Sequence, residues 1–510
     1  MFRVFRVFHW FHPYGDRMSP IVKSNVLMGF YFFPRGGSAQ VARYLCRALA
    51  GGPWVPTLFA GSLGSFSAKS NAEGFFSGIN CESLDYSPAH ADWVRGDDPM
   101  ESVVPMHASY ETKSGVSDRC FFDLDDTAYD GQVASWTRFL ARHTADAPAI
   151  VHLHHLTPIH QAIRDLWPTV PIITHLHGTE LKMIDGLGPV PEPGRWEAQW
   201  VERMRWWAGD SDRIIVVSEY DAQLAATLLP VNPSRVVIIG GGTDTSVFCP
   251  QTIIAAHRAA CWERWLVTDP RGWLPNGEEG SIRYVTDDLQ GFTDAHGEPV
   301  PVVLFAGRFM RFKRIQLLIE AHHARQTAGN LESQRSVLVI AGGFPGEWEG
   351  EHPYDTVTRL GATNVFFTGW RGHEDLAEML SCADIFAVPA VDEPFGLVYL
   401  EAMAAGLPPI ATTTGGPAAF INTEPDCPTG WLVAPDDLDE LTAALAEAIS
   451  RPVERRERGR RASRFVGEHY SWTSSAAAFT QLYNDVVTER ACRGSQRSGP
   501  EPEMLPTPAR

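Results

Sequence analysis

The chain has 510 residues, with 43 Lys and Arg against 61 Asp and Glu, for a formal net charge of −18. This length exceeds one core and reads as two large domains, and the acidic balance argues against a nucleic-acid binder, since a phosphate backbone would be repelled except at a local basic patch. The eight cysteines show no metal or disulfide spacing, and neither a signal peptide nor a run of about 20 apolar residues occurs, which indicates a reducing, cytoplasmic setting.

Residues 1–10 are apolar and aromatic but broken by Arg3, Arg6 and His9, and read as a strand or an ordering tail. Seven basic side chains (Arg3, Arg6, Arg17, Lys23, Arg35, Arg43, Arg47) face one acid, Asp16, within residues 1–60. A solvated face is the plainer reading of that bias; a weak peripheral contact with an anionic membrane face is the other. Gly36 and Gly37 precede an expected helix at 41–49, where their lack of a side chain lets backbone approach a ligand. Residues 61–135 are rich in Gly, Ser and Asp without a long periodic element, and read as an acceptor-side insertion or a mobile loop.

Short apolar runs at 150–153, 170–174, 213–217 and 236–239, alternating with amphipathic ones, predict a parallel sheet wrapped by helices. His152 and His154 share one face of a predicted strand, as do His175 and His177. Zinc could join them, but no cysteine or acidic partner stands at ligand spacing, so they read as hydrogen-bonded strand-end residues and no metal is assigned. Residues 268–300 are polar and carry eight Pro and Gly, which makes 251–300 an expected interdomain linker or insertion.

Runs at 302–305, 336–340, 365–368 and 385–388 repeat the strand pattern in the second half. The first ends in Ala306-Gly307-Arg308, and Lys313 follows, so a planar fork and a point charge can converge on phosphates. After the last, Glu393-Pro394-Phe395-Gly396 turns the chain into a helix from about Leu397, whose first N–H groups can hold a diphosphate. Glu393 and Glu401 flank that turn, and a carboxylate accepts several hydroxyl hydrogen bonds, as a hexose and a ribose require. Residues 470–483 suggest a last helix, and the tail from about Arg490 reads as disordered.

Taken in order and spacing over roughly residues 25–485, these pieces resemble glycosyltransferase family 4, also called glycosyl transferases group 1. The matching segments are Pro34-Arg35-Gly36-Gly37, Thr174-His175-Leu176-His177-Gly178-Thr179-Glu180, Val216-Val217-Ser218-Glu219, Gly242-Thr243-Asp244, Gly307-Arg308 with Lys313, and Glu393 through Glu401. The resemblance implies a GT-B α/β fold: two doubly wound Rossmann-like domains facing each other across a cleft. The N-terminal acceptor-side domain would take 1–250 and the nucleotide-sugar domain 301–470. A helix at 471–489 would cross back to the first, and 490–510 would be disordered.

The resemblance also implies a retaining, metal-independent hexosyltransferase without cofactor, moving a hexose from a nucleotide sugar to a small-molecule, polysaccharide or lipid hydroxyl. UDP-sugar is the favoured donor and GDP-mannose the next. Glu393, His177, Arg308 and Lys313 are the expected catalytic group. Gly36, Gly37, Gly307, Arg308, Lys313, Trp370, Arg371, Glu393, Phe395, Gly396, Leu397 and Glu401 are the expected donor contacts, with base choice near Trp370 and Arg371. A sugar phosphorylase and a noncatalytic sugar-nucleotide sensor on the same scaffold are the alternatives.

Overall fold

The computed structural model describes residues 3–4, 23–112, 115–144, 146–187, 195–328 and 335–497, with side chains omitted at 3–4, 328 and 494–497. The chain divides into two compact units. The first contains the described residues up to Val216, then 222–239 and the residues from Ala476 on; the second contains Val217–Asp221 and Gly240–Ser475.

The first unit is built on a parallel sheet of β1 (Arg3–Val4), β2 (Ser24–Phe30), β3 (Trp54–Ser62), β4 (Cys81–Asp85), β5 (Ile150–His154), β6 (Ile172–His175), β7 (Arg213–Val216) and β8 (Val236–Ile238). Their spatial order is β1-β8-β7-β6-β5-β2-β3-β4. The chain therefore winds outward from β2 to one edge, returns to β5 beside it, and winds out to the other edge. Strands covered by helices on both faces are buried on both sides, and β5 and β6 are buried along their whole length although they carry His152, His154, Thr174 and His175.

The second unit repeats the plan with β9 (Val302–Ala306), β10 (Val337–Ala341), β11 (Val365–Gly369), β12 (Ile385–Ala387), β13 (Pro409–Thr412) and β14 (Trp431–Val433), in the order β11-β10-β9-β12-β13-β14. The winding direction reverses between β9 and β12. At such a reversal the connections leave to opposite faces of the sheet, and a crevice opens beyond the strand C-termini.

Three expectations change. The described residues of 61–135 are a folded part of the first unit, against the mobile-loop alternative: they supply β4, the helix Ser87–Arg95 and the start of the helix Asp126–His143. What orders them is aromatic burial rather than periodicity, with Tyr86 donating to the Tyr31 carbonyl (2.8 Å) and Phe121 stacked 6.0 Å from the Tyr31 ring. The stretch 251–300 belongs to the second unit and is no free linker, since Trp262, Trp265, Trp273 and Phe292 are buried in its core. Tyr284 Oη there accepts the Phe367 N–H of β11 (3.1 Å). The last helix spans Trp472–Arg497, past the expected start of disorder, and Arg490 forks onto Asp212 at 2.6 and 2.9 Å. Most of the expected ordering tail 1–10, and 498–510, lie outside the described residues.

Of the N-terminal basic residues, Arg3, Arg6 and Arg17 also lie outside the described side chains. Arg35 pairs with Asp118 (2.8 Å), Arg43 lies over the Phe75 ring (5.1 Å) and Arg47 donates to the Ser77 carbonyl (3.1 Å), so these three are engaged by the chain itself. Among the described residues no helix is long and apolar enough to cross a membrane.

Candidate active site

In the second unit the reversal point brings together residues some eighty positions apart. β9 and β12 are neighbours, with Val303 opposite Ile385. β9 runs into Gly307-Arg308 and the short 3-10 turn Arg311–Lys313, while β12 runs into the loop carrying Glu393. The Lys313 ammonium donates to the Glu393 carboxylate, and both residues are nearly buried, at 8% and 9% exposure. Burying either charge alone would carry a heavy desolvation cost, so the pair is the form in which each can be held there. Arg308 stands exposed at the end of β9.

Backbone geometry holds Glu393. Gly416 N donates to the Glu393 carbonyl (2.7 Å), and Val391 N donates to the Phe312 carbonyl (2.8 Å), which ties the β12 loop to the β9 turn. A Cβ on Gly415, whose φ is +80°, would lie 2.6 Å from both the N and the O of Glu393. Only glycine permits that approach and that conformation together. Gly396, at φ +81°, reverses the chain into the helix Leu397–Ala404, whose N-terminus has no side-chain cap and no acid in its first turn. Its leading N–H groups and dipole favour an anion.

Glu401, on the same helix, is 7% exposed, and burial pushes its carboxyl up to about 8, so it is an acid in neutral solution. His373 Nε2 lies 3.7 Å from it. Trp370, just past β11, stacks on Phe344 beyond β10 at 5.5 Å.

Two expected ligand contacts serve the fold instead. The Arg371 guanidinium is directed to Asp269, the Trp265 carbonyl (3.0 Å) and the Thr368 carbonyl (3.2 Å), fastening the 251–300 stretch to β11. The Phe395 ring packs with Phe420 (5.7 Å) and Tyr470 (6.3 Å). Gly307, Arg308, Lys313, Trp370, Glu393, Gly396, Leu397 and Glu401 all lie beyond strand C-termini or on the helix that follows β12.

In the first unit, Gly36 and Gly37 open the helix Gly36–Leu49 after β2, and a Cβ on either would meet nothing within 4 Å. β5, the other strand at the reversal, ends in His154 and then His155, which adopts φ +67°. His177 follows β6; its Nε2 lies 3.0 Å from His154 Nδ1, and its backbone N–H points at Glu180 Oε1 (3.3 Å). Glu180 is fully buried and also meets His155 Nδ1 at 3.2 Å. Burial and neighbouring imidazoles hold His152, His154, His175 and His177 well below the usual histidine range, so all four rings are neutral.

The expectation of hydrogen-bonded strand-end histidines holds for one nitrogen each of His152, His154 and His177, and fails for His175, neither of whose nitrogens has a partner among the described residues. Sequence reading gave no site role to Gly415 and Gly416, His155, Glu180 or Tyr483. The double glycine was the one legible signal, as a pair after an apolar run marks a tight backbone approach.

Comparison with known proteins matches this architecture. A model of the glycosyl transferases group 1 family covers residues 291–465, and one of Glycosyltransferase Family 4 covers residues 107–247. The D-inositol 3-phosphate glycosyltransferase of Mycobacterium tuberculosis is 27% identical over 364 residues, spanning 69% of this chain and 64% of that protein. Among solved structures, sucrose-phosphate synthase from Thermosynechococcus elongatus superposes with TM-score 0.62 at 20% identity, over 92% of this chain and all of that one. Anabaena HepE in complex with UDP and glucose superposes with TM-score 0.59 at 13% identity, over 91% of this chain and all of that one. At those identities the two structures speak to the fold alone, two α/β units of the GT-B kind. On its matched segments and its fold, the chain belongs to glycosyltransferase family 4, the glycosyl transferases group 1.

Proposed function

We propose that the protein is a retaining hexosyltransferase that takes a sugar from a nucleotide donor, a UDP-sugar before GDP-mannose, and delivers it to a hydroxyl acceptor. The observation that carries this reading is the buried Lys313–Glu393 pair at the β9/β12 reversal, with an uncapped helix N-terminus and a buried Glu401 beside it. The name of the mycobacterial relative and the UDP-bound HepE structure support the reaction class and the choice of UDP.

In this reading Arg308 and Lys313 offset the charge that grows on the departing nucleoside diphosphate, and the first N–H groups of the helix at Leu397 add to that. Glu393 grips sugar hydroxyls, and Glu401 holds the ribose, giving or accepting a hydrogen bond as its carboxyl ionises. His177, neutral and half-buried, orients the substrate. The bond from the anomeric carbon to the diphosphate oxygen breaks, and the acceptor oxygen bonds to that carbon on the same face. The acceptor proton passes to the departing phosphate oxygen. These charges come from the side chains themselves, so the step is assigned without a metal or cofactor.

A thermal-shift screen against UDP, GDP, ADP and their sugars, followed by donor-hydrolysis assays, tests the reading. UDP and a UDP-sugar should raise Tm, by an amount that grows with ligand concentration over Kd. Absence of stabilisation by every nucleotide would sink it, and turnover that depends on inorganic phosphate would point to a phosphorylase.

A further inference from the structure

Beneath the C-terminal edge of the first sheet, His152 and His154 project from β5 and His175 from the paired position of β6, opposite His154. All three are buried, at 0%, 0% and 1% exposure, and one ring nitrogen from each lies within 4.8 Å of the others. The ring centres stand 4.8, 5.5 and 5.4 Å apart. Imidazoles bound to one tetrahedral zinc at about 2.0 Å place their ring centres about 5 Å apart. His152 Nε2, His154 Nε2 and both nitrogens of His175 have no hydrogen-bond partner among the described residues.

We propose that this cluster is a structural site for a divalent cation of the zinc class, held by His152, His154 and His175. The remaining ring nitrogens are already engaged as such a site needs. His152 Nδ1 meets Tyr483 Oη at 2.7 Å and His154 Nδ1 meets His177 Nε2 at 3.0 Å. A proton on each Nδ1, donated outward, leaves the Nε2 lone pair for the metal. The three rings are neutral in the folded chain, the state that binds. The imidazole-only donor set suits zinc, cobalt or nickel rather than magnesium or calcium. Glu180, fully buried, is in contact with His155 and His177.

The last helix seals the site: Tyr483 binds His152, and the Phe479 ring covers His152 and His175 at 5.4 and 5.6 Å. A bound ion would thus clamp β5, β6 and that helix together, and this assignment does not rest on the transferase reading. A second cluster, His257, Cys261 and Glu378, is a weaker candidate because Arg264 already pairs with the Glu378 carboxylate; it serves as the control.

The test uses the full-length chain stripped of metal with a chelator, titrated with Co(II) and then with competing Zn(II). One equivalent of Co(II) should give the visible absorption of a low-coordinate nitrogen site without thiolate charge transfer, and Zn(II) should raise Tm. His175→Ala should abolish both, while Cys261→Ser should keep them. Tyr483→Phe, which retains the ring packing, should weaken Co(II) binding about tenfold. The proposal falls if the metal-stripped wild type, with native circular dichroism, takes up no Co(II). It falls equally if uptake survives His175→Ala and is lost in Cys261→Ser.

Discussion

The crevices at the two winding reversals solve the same burial problem in opposite ways. In the second unit, charge is buried and answered: Lys313 and Glu393 neutralise one another, and backbone from Gly415 and Gly416 closes around them. In the first, the imidazoles of His152, His154 and His175 are buried and neutral, and several of their nitrogens have no partner among the described residues. An ion pair of this kind can exchange partners when an anionic ligand arrives, whereas unpartnered nitrogens await a ligand to be satisfied at all.

Five measurements would break or sharpen that contrast. The largest effect is expected from Glu393→Ala, which should lower turnover by about 100-fold or more, roughly 3 kcal/mol of transition-state stabilisation, while changing nucleotide Kd far less. A Kd that rises as steeply as turnover drops would mean that Glu393 holds the nucleotide rather than the sugar. For the empty protein, Lys313→Met leaves the Glu393 carboxylate buried and unanswered, and should cost about 3 kcal/mol in urea unfolding. Adding Glu393→Gln should recover part of that loss; additive losses would show that the two residues are not coupled.

Gly415→Ala should come next, at about 2 kcal/mol, from the strained φ and the clash with the Glu393 backbone. Activity should drop in the same variant because its carboxylate is displaced. Unchanged stability and activity would show that the loop yields.

The last two measurements separate the units by pH. For the histidines, folded pKa values lie below the unfolded 6.5, so the unfolded chain binds more protons in acid. Stability contributed by their neutral state is present above pH 6.5 and lost as pH falls below it, by up to about 1.4 kcal/mol per pH unit for each ring. His154→Asn should shallow that slope by one such increment. For Glu401 the folded value, about 8, lies above the unfolded 4.5, so the folded chain holds the extra proton between them. Stability therefore declines as pH rises from about 4.5 to about 8, again by at most about 1.4 kcal/mol per unit. Glu401→Gln should flatten that decline, and a slope identical to wild type would show that Glu401 is ionised in the folded protein.

Strand placement and the Glu393 to Glu401 segment were legible because they depend on local signals: apolar runs of strand length and a Pro394-Phe395-Gly396 turn into a helix. The runs at 150–153, 213–217, 302–305 and 385–388 lie within a residue or two of β5, β7, β9 and β12. β2, β3 and β4 were not singled out, nor were β13 and β14. Arg371 looked like a ligand contact because an arginine past a strand end is locally indistinguishable from one bound to a distant carbonyl.

By itself, then, the sequence determined the alternation of strands and helices, the two-unit plan and the carboxylates and cations available for a phosphate-sugar ligand, since periodicity and residue chemistry are local properties. Tertiary structure alone decided that Lys313 meets Glu393, that Gly415 seats it, that 251–300 is core, and that His152, His154 and His175 converge under Tyr483. Each of those facts depends on which strands become neighbours. That choice is set by packing summed over a whole unit, which no short stretch of sequence carries.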